Sequence, residues 1–310
     1  LPVMRKNGSS SIQARPGIVS RPRGSSILQN VMCVVFAAWV ALTASADSKH
    51  GGYWLHGRTM KEVDVRALAA LGTTDVFLHE YAFTAHGRGE VEAWIAKAAA
   101  AGLNVHIWVQ AFYNGSWINP VKDGVPDRGL FDETIKHAQT YARINGVAGI
   151  HFDYVRYPGT AFKTPGGAEA VSEFLRQAAT RLHQTTPRLI VSAALMPETT
   201  ANLHYYGQDY AAISQCLDVV IPMIYKGNYK KPTSWIAATT AWFVTHSKGA
   251  KVWTGLQGYQ TDEDTSKLPA AEITADVETA LKAGAAGAVI FRWGVTHFVD
   301  FRNPNRPESP

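Results

Sequence analysis

The chain has 310 residues, 46% of them apolar, and carries 30 Lys and Arg against 25 Asp and Glu for a formal net charge of +5. All of that excess falls in the first 46 residues, which hold five basic and no acidic side chains. The remainder is neutral, so no nucleic acid is expected as a partner, since that needs basic residues clustered on one face of the folded domain; its apolar content is ample for a large core.

Residues 1–46 read as a signal peptide that is removed. Arg5, Lys6, Arg15, Arg21 and Arg23 precede an apolar run from Met32 to Thr43, which ends in Ala44-Ser45-Ala46. This is the order of a basic region, an apolar region and a small-residue cleavage site. The run falls short of the roughly 20 apolar residues that span a bilayer. The expectation is a secreted or periplasmic/extracellular protein beginning near Asp47, with no stable membrane insertion after cleavage; an uncleaved amino-terminal anchor is the alternative. Cys33 lies in the run, so only Cys216 stays, which leaves no intramolecular disulfide and reads as a small buried apolar side chain.

Residues 47–310 number 264, close to the roughly 250 of a (β/α)8 barrel, and are read as one (β/α)8-barrel catalytic domain. Short apolar runs alternate with segments of helical period. The predicted strands are Gly52 to His56, Asp75 to Glu80, Asn104 to Gln110, Ala148 to Tyr154, Leu189 to Leu195, Asp218 to Tyr225, Lys251 to Gln257 and Ala288 to Trp293. Gly72, Gly102, Gly146, Gly249 and Gly284 stand just before the next strand, where a left-handed helix cap is needed. Strands alternating with helices require a parallel sheet, and eight units suggest closure into a single (β/α)8 TIM barrel. An open doubly wound sheet is the alternative fold, without a Gly-x-Gly-x-x-Gly turn after the first strand to support it.

In a barrel of this kind, chemistry collects where strands end. Those positions give His56, His79 with Glu80, Gln110 with Tyr113, Asp153 with Arg156 and Tyr157, Glu198, Tyr225 with Lys226, Gln257, and Arg292 with Trp293. In strand four, Gly149, His151 and Asp153 share one face while Ile150, Phe152 and Tyr154 share the other. The apolar set suits the helix layer, so His151 and Asp153 are expected to point into the barrel. An inward carboxylate is costly unless hydrogen-bonded, paired or functional. The bland alternative is an ion pair with Arg156 or Arg292.

Phe152-Asp-Tyr-Val-Arg-Tyr-Pro158 resembles the strand-four signature of glycoside hydrolase families with a TIM-barrel glycosidase-like domain, and Asp218-Val-Val-Ile-Pro-Met-Ile-Tyr225 resembles their strand-six signature. The resemblance implies a carbohydrate-cleaving barrel with a catalytic Asp at Asp153 and a sugar-contacting Tyr at Tyr225. Relatives often continue the sixth strand with a proline or an acidic residue, where this chain has Lys226-Gly-Asn.

Glycoside hydrolysis generally uses two carboxyl groups. Asp153 is expected as nucleophile or transition-state stabiliser, kept ionised by donors such as Arg156 or Arg292. Glu198, set against Met196 and Pro197, is the favoured proton donor, and Glu80 the other candidate. The bland role for Glu80 is a hydrogen bond to His56 or His79. His56, His79, Gln110, Tyr113, His151, Arg156, Tyr225, Gln257, Arg292 and Trp293 are the expected substrate contacts, with Trp117 as a further stacking surface, because a sugar offers an apolar face to aromatic rings and hydroxyls to polar groups. Trp94, Trp235 and Trp242 lie in helices and read as packing. Neither a cofactor nor a metal is expected. Two rival classes remain: a non-catalytic polysaccharide-binding barrel, and a metal-dependent hydrolase using His56, His79, His151 and Asp153, for which no ordered histidine motif exists. Sugar identity, linkage, stereochemistry and oligomeric state are open.

Overall fold

A computed structural model describes residues 49–303; the expected signal peptide and the start near Asp47 lie outside the described residues. Eight parallel strands close into a barrel: β1 (His50–Leu55), β2 (Asp75–His79), β3 (Asn104–Gln110), β4 (Val147–Asp153), β5 (Ile190–Leu195), β6 (Val219–Pro222), β7 (Lys251–Gln257) and β8 (Gly287–Phe291), each hydrogen-bonded to its neighbours in sequence and β8 to β1. Their runs are apolar on both faces because both are covered. Trp54, Phe77, Trp108, Val219, Ile221, Trp253 and Val289 fill the barrel interior. Alternate residues such as Tyr53, Leu78, Val109, Ile150 and Phe152 meet the helix layer. Each fully buried side chain of this kind contributes roughly 1.5–3 kcal/mol.

The connecting helices are α1 (Val65–Ala70), α2 (Arg88–Ala100), α3 (Arg128–Ala142), α4 (Gly167–Thr185), α5 (Tyr210–Cys216), α6 (Thr233–His246) and α7 (Ala270–Lys282). Gly102 and Gly284, at φ +88° and +99°, follow α2 and α7 as the cap reading requires. Gly249 does not cap a helix, since α6 already ends at His246 and Ser247 is extended. After β8 the described chain forms no helix. Residues 292–303 instead cross the outer face of β1, where the Val299 amide donates to the Tyr53 hydroxyl (3.0 Å) and the Phe301 amide to the Leu71 carbonyl (2.8 Å). Two short helices, Tyr81–His86 and Asn202–Tyr206, and a small hairpin of Val121–Lys122 with Val125–Pro126 decorate the loops at the carboxyl ends of the strands.

The opposite end of the barrel holds a buried polar knot. Asp75, the first residue of β2, accepts from His106 Nε2 (2.9 Å) and Asn104 Nδ2 (3.2 Å) on one oxygen, and from His50 Nδ1 (2.7 Å) and Thr74 Oγ1 (2.6 Å) on the other. Burial works against the charge, but the hydrogen bonds from His106 and His50 prevail and hold the carboxyl well below its usual pKa. Gly149 faces this knot from β4. A Cβ there would stand 2.2 Å from His106 Nδ1, so the inward glycine makes room for the imidazole.

Candidate active site

A cavity of about 450 Å³ opens at the carboxyl ends of the strands. Trp54, Trp108 and Phe291 form apolar wall, and Asp153, Arg156, Tyr225, Asn228, Tyr229, Tyr259 and Asp262 supply polar groups. Asp153 is the last residue of β4, beside Gln110 of β3. Its Oδ2 accepts from the Trp108 indole (3.1 Å), and its Oδ1 from the Tyr154 amide (2.6 Å). The alternative of an ion pair with Arg156 or Arg292 is not formed among the described residues. Burial pushes the Asp153 pKa up, against the pull of the Tyr154 amide, Arg156 and Trp108. A carboxyl walled by tryptophan and open only to a cavity loses more as an anion than two N–H donors return.

Alternation along β4 places His151 inward as expected. It lies below the cavity, wholly buried, with Nδ1 on Ser192 Oγ (2.9 Å) and the ring against Trp54 and Phe77; burial lowers its pKa, so the ring is neutral. Tyr154 departs from the expected alternation. Its φ of +54° turns the chain out of the strand, and its ring lines the cavity instead of the helix layer. The residue after Glu198, Thr199, has the same φ of +54°. Left-handed backbone is uncommon for a non-glycine residue and a genuine outlier for a β-branched one. Such strain collects at functional sites.

Glu198 is held differently from the expectation of an apolar setting. Its Oε1 accepts from the hydroxyls of Tyr206 (2.8 Å) and Tyr229 (2.6 Å), while Oε2 is buried without a hydrogen-bond partner among the described residues. Tyr229 lines the cavity and Glu198 does not. Burial, followed by contact with Glu198, pushes the Tyr206 hydroxyl up to about 12. Glu80 is placed away from the cavity. It binds the Gln110 amide (3.0 Å) and His137 Nε2 (2.7 Å), not His56 or His79, because the turn into the helix Tyr81–His86 aims it at α3.

The remaining expected contacts separate into two groups. Tyr225 and Arg156 line the cavity, Tyr225 stacked on Phe291 at 5.6 Å between centroids. Tyr113 stacks on the cavity residue Tyr154 at 4.6 Å, with Trp117 5.5 Å from both rings. Gln257 is buried one layer behind the wall, where its amide brackets Asn228 through Oε1 to the backbone N–H (3.1 Å) and Nε2 to Oδ1 (2.9 Å). His56 and His79 are off the cavity lining, stacked at 6.0 Å, with His79 edge-on to Trp108 and its pKa lowered to about 4 by burial. Trp293 packs against the core, and Arg292 is off the lining as well. Lys226, in the position that departs from the relatives, turns to the helix layer and pairs with Asp276 (2.7 Å) and Glu272 (2.8 Å).

Sequence reasoning missed Asp262. It stands in the loop between β7 and α7, where Tyr259 donates to its Oδ1 (2.8 Å) and Asn228 Nδ2 to its Oδ2 (2.9 Å). That loop has no periodicity to single it out. Asn228 and Tyr229 lay within reach of reading, three and four residues past Tyr225. Trp108 also lay within reach, on the inward face of β3. No three His, Cys, Asp or Glu side chains converge as a metal cage among the described residues, and no described helix is long and apolar enough to cross a membrane.

A closed parallel barrel with a carboxyl group in an aromatic cavity at its carboxyl end is the arrangement a barrel glycoside hydrolase requires. Residues 91–248, just over half of the chain, match the family described as "Putative glycosyl hydrolase domain", and the chain belongs to that family. The matched span includes Asp153, Glu198 and Tyr225. No curated protein matches the chain. Among solved structures it is similar to a class V chitinase from Pseudomonas fluorescens Pf-5 (15% identity, 82% of this chain and 98% of that one, TM-score 0.63). It is also similar to the spore cortex-lytic enzyme SleL of Bacillus megaterium QM B1551 (14%, 81% and 71%, 0.57) and an endo-β-1,4-mannanase from Thermotoga petrophila (12%, 80% and 68%, 0.60). At these identities the likeness is one of fold.

Proposed function

We propose that this glycoside hydrolase is exported and cleaves a poly- or oligosaccharide with two carboxyl groups, Asp153 being the proton donor to the leaving oxygen. The observation that carries the role is the raised pKa of a carboxyl enclosed by Trp108 and open to the cavity. A general acid needs a pKa raised toward the working pH, and desolvation acts in that direction on Asp153. This reverses the division of labour expected from sequence, in which Asp153 was the anion and Glu198 the acid. Asp262, the other carboxyl on the cavity wall, is the second carboxyl group, held in place by hydrogen bonds from Tyr259 and Asn228. A second reading keeps Glu198 as the partner, acting through the Tyr229 hydroxyl that bonds to it and lines the cavity.

Steady-state rates on glycosides of graded leaving-group ability test this. Asp153→Asn is expected to lose about 10²–10⁴-fold on poor leaving groups and far less on activated aryl glycosides. Asp262→Asn should depress both classes alike, with Glu198→Gln milder than either. An Asp153→Asn enzyme with no leaving-group dependence would remove the acid role. Equal collapse in Glu198→Gln, with Asp262→Asn active, would move the partner to Glu198.

A further inference from the structure

Beside the cavity, the loops after β4 and β5 carry large rings kept in water. Phe162 is 53% exposed and Tyr205 45%. Phe162 stacks on His204 with centroids 4.8 Å apart and planes within 2°, and Tyr205 meets both edge-on, at 6.3 Å from Phe162 and 4.7 Å from His204. Both lie outside the hydrophobic core, and a contiguous exposed aromatic group marks a contact surface. The backbone beneath them is fixed. The Tyr157 amide donates to the Tyr206 carbonyl (3.0 Å), tying the two loops together, and Gly207 at φ +70° lies against the Tyr157 ring, where a Cβ would come to 3.2 Å.

The group is continuous with the cavity. Tyr205 lies 6.3 Å from Tyr206, and the Arg156 guanidinium stands 5.8 Å from the Tyr206 ring and 4.8 Å from Trp117. Arg156 itself lines the cavity. Resting on the glycosidase reading above, we infer that these rings form a track for the sugar units of a polysaccharide beyond the bond being cut. Its ligand is a chain of pyranose rings with mainly equatorial hydroxyls, one sugar laying its apolar C–H face on Tyr205 and bordered by the Phe162 ring, which stands at 89° to it, while His204 and Arg156 meet the hydroxyls. Rings already locked by stacking lose little freedom when the chain binds, which makes the track preorganised.

The test is affinity electrophoresis of the full protein in gels holding glycol chitin, galactomannan or hydroxyethyl cellulose, with Asp153→Asn as the background so that polymer is not consumed. At least one polymer should retard that protein. Adding Phe162→Ala and Tyr205→Ala should weaken its affinity about tenfold or more, and Phe162→Tyr with Tyr205 intact should restore it. Retardation unchanged by the alanine pair, or absent with every polymer, overturns the track. So does ring-dependent sedimentation with phosphatidylglycerol vesicles, or a ring-dependent dimer, in place of polymer binding. Hydrolysis of the same polymers by the unaltered protein is scored separately. Turnover with undiminished affinity in the alanine pair keeps the hydrolase and sinks the track; ring-dependent binding without turnover does the reverse.

Discussion

Asp153 has to remain ionisable in a place that penalises its charge, and the structure sets the penalty above the rewards. The sign for stability follows from linkage. Its folded pKa lies above the unfolded value of about 3.9, so its contribution is fully present below that value and is lost as pH rises through the folded pKa. Asp153→Asn removes the buried charge and keeps the shape. At neutral pH it should melt at the same or a higher temperature than the parent while losing turnover, as read by calorimetry beside rate assays; a lower melting temperature would mean that the carboxylate holds the loop in place. If Asp153 is the acid, kcat/KM should fall as pH rises through the same raised pKa, and this limb should vanish in the variant. The residue was legible in the sequence because strand alternation alone put a carboxylate indoors. Its raised pKa was not legible, because the burial that causes it is supplied by side chains from other strands.

Among the elements, β1 to β8 and most of their glycine caps were legible, since a strand covered on both faces must be an apolar run and a helix reversing in tight space needs a left-handed residue. What escaped was the outcome of tertiary contact. The hairpin at 121–126 and the two short loop helices are too brief for a period, and the strap over β1 replaces a helix with hydrogen bonds to Tyr53 and Leu71. Glu80 is the instructive case, a carboxyl at a strand end that is occupied in joining β2, β3 and α3. The hydrogen bond from His137 to Glu80 raises the His137 pKa. Stability from this pair is present below the unfolded histidine pKa of about 6.5 and is lost as pH rises through the folded one. Glu80→Gln keeps an acceptor for the Gln110 amide and deletes the pair. It should cost about 1 kcal/mol or less at pH 6 and nothing at pH 9 in urea titrations, leaving leaving-group dependence unaltered.

On the scale of the whole molecule, the two ends of the barrel titrate in opposite senses. Asp75, bound by His106, Asn104, His50 and Thr74, has a folded pKa below its unfolded one. Its contribution is therefore present above about 3.9 and lost as pH falls through the folded value. Asp75→Asn leaves the buried His106 and the half-buried His50 without their anion, and breaking a buried pair typically costs about 3–5 kcal/mol; the urea midpoint at pH 7 should drop accordingly, and an unshifted midpoint would show the knot to be dispensable. The knot stands across the tryptophan-filled interior from the cavity and shares none of its lining residues. Durability and reactivity are thus inherited from separate ends of the same eight strands. A variant library confined to the loops bearing Tyr154, Thr199, Asn228 and Asp262 leaves the Asp75 anchor intact, so new sugar preferences can be selected there while the scaffold beneath keeps its tolerance for further change.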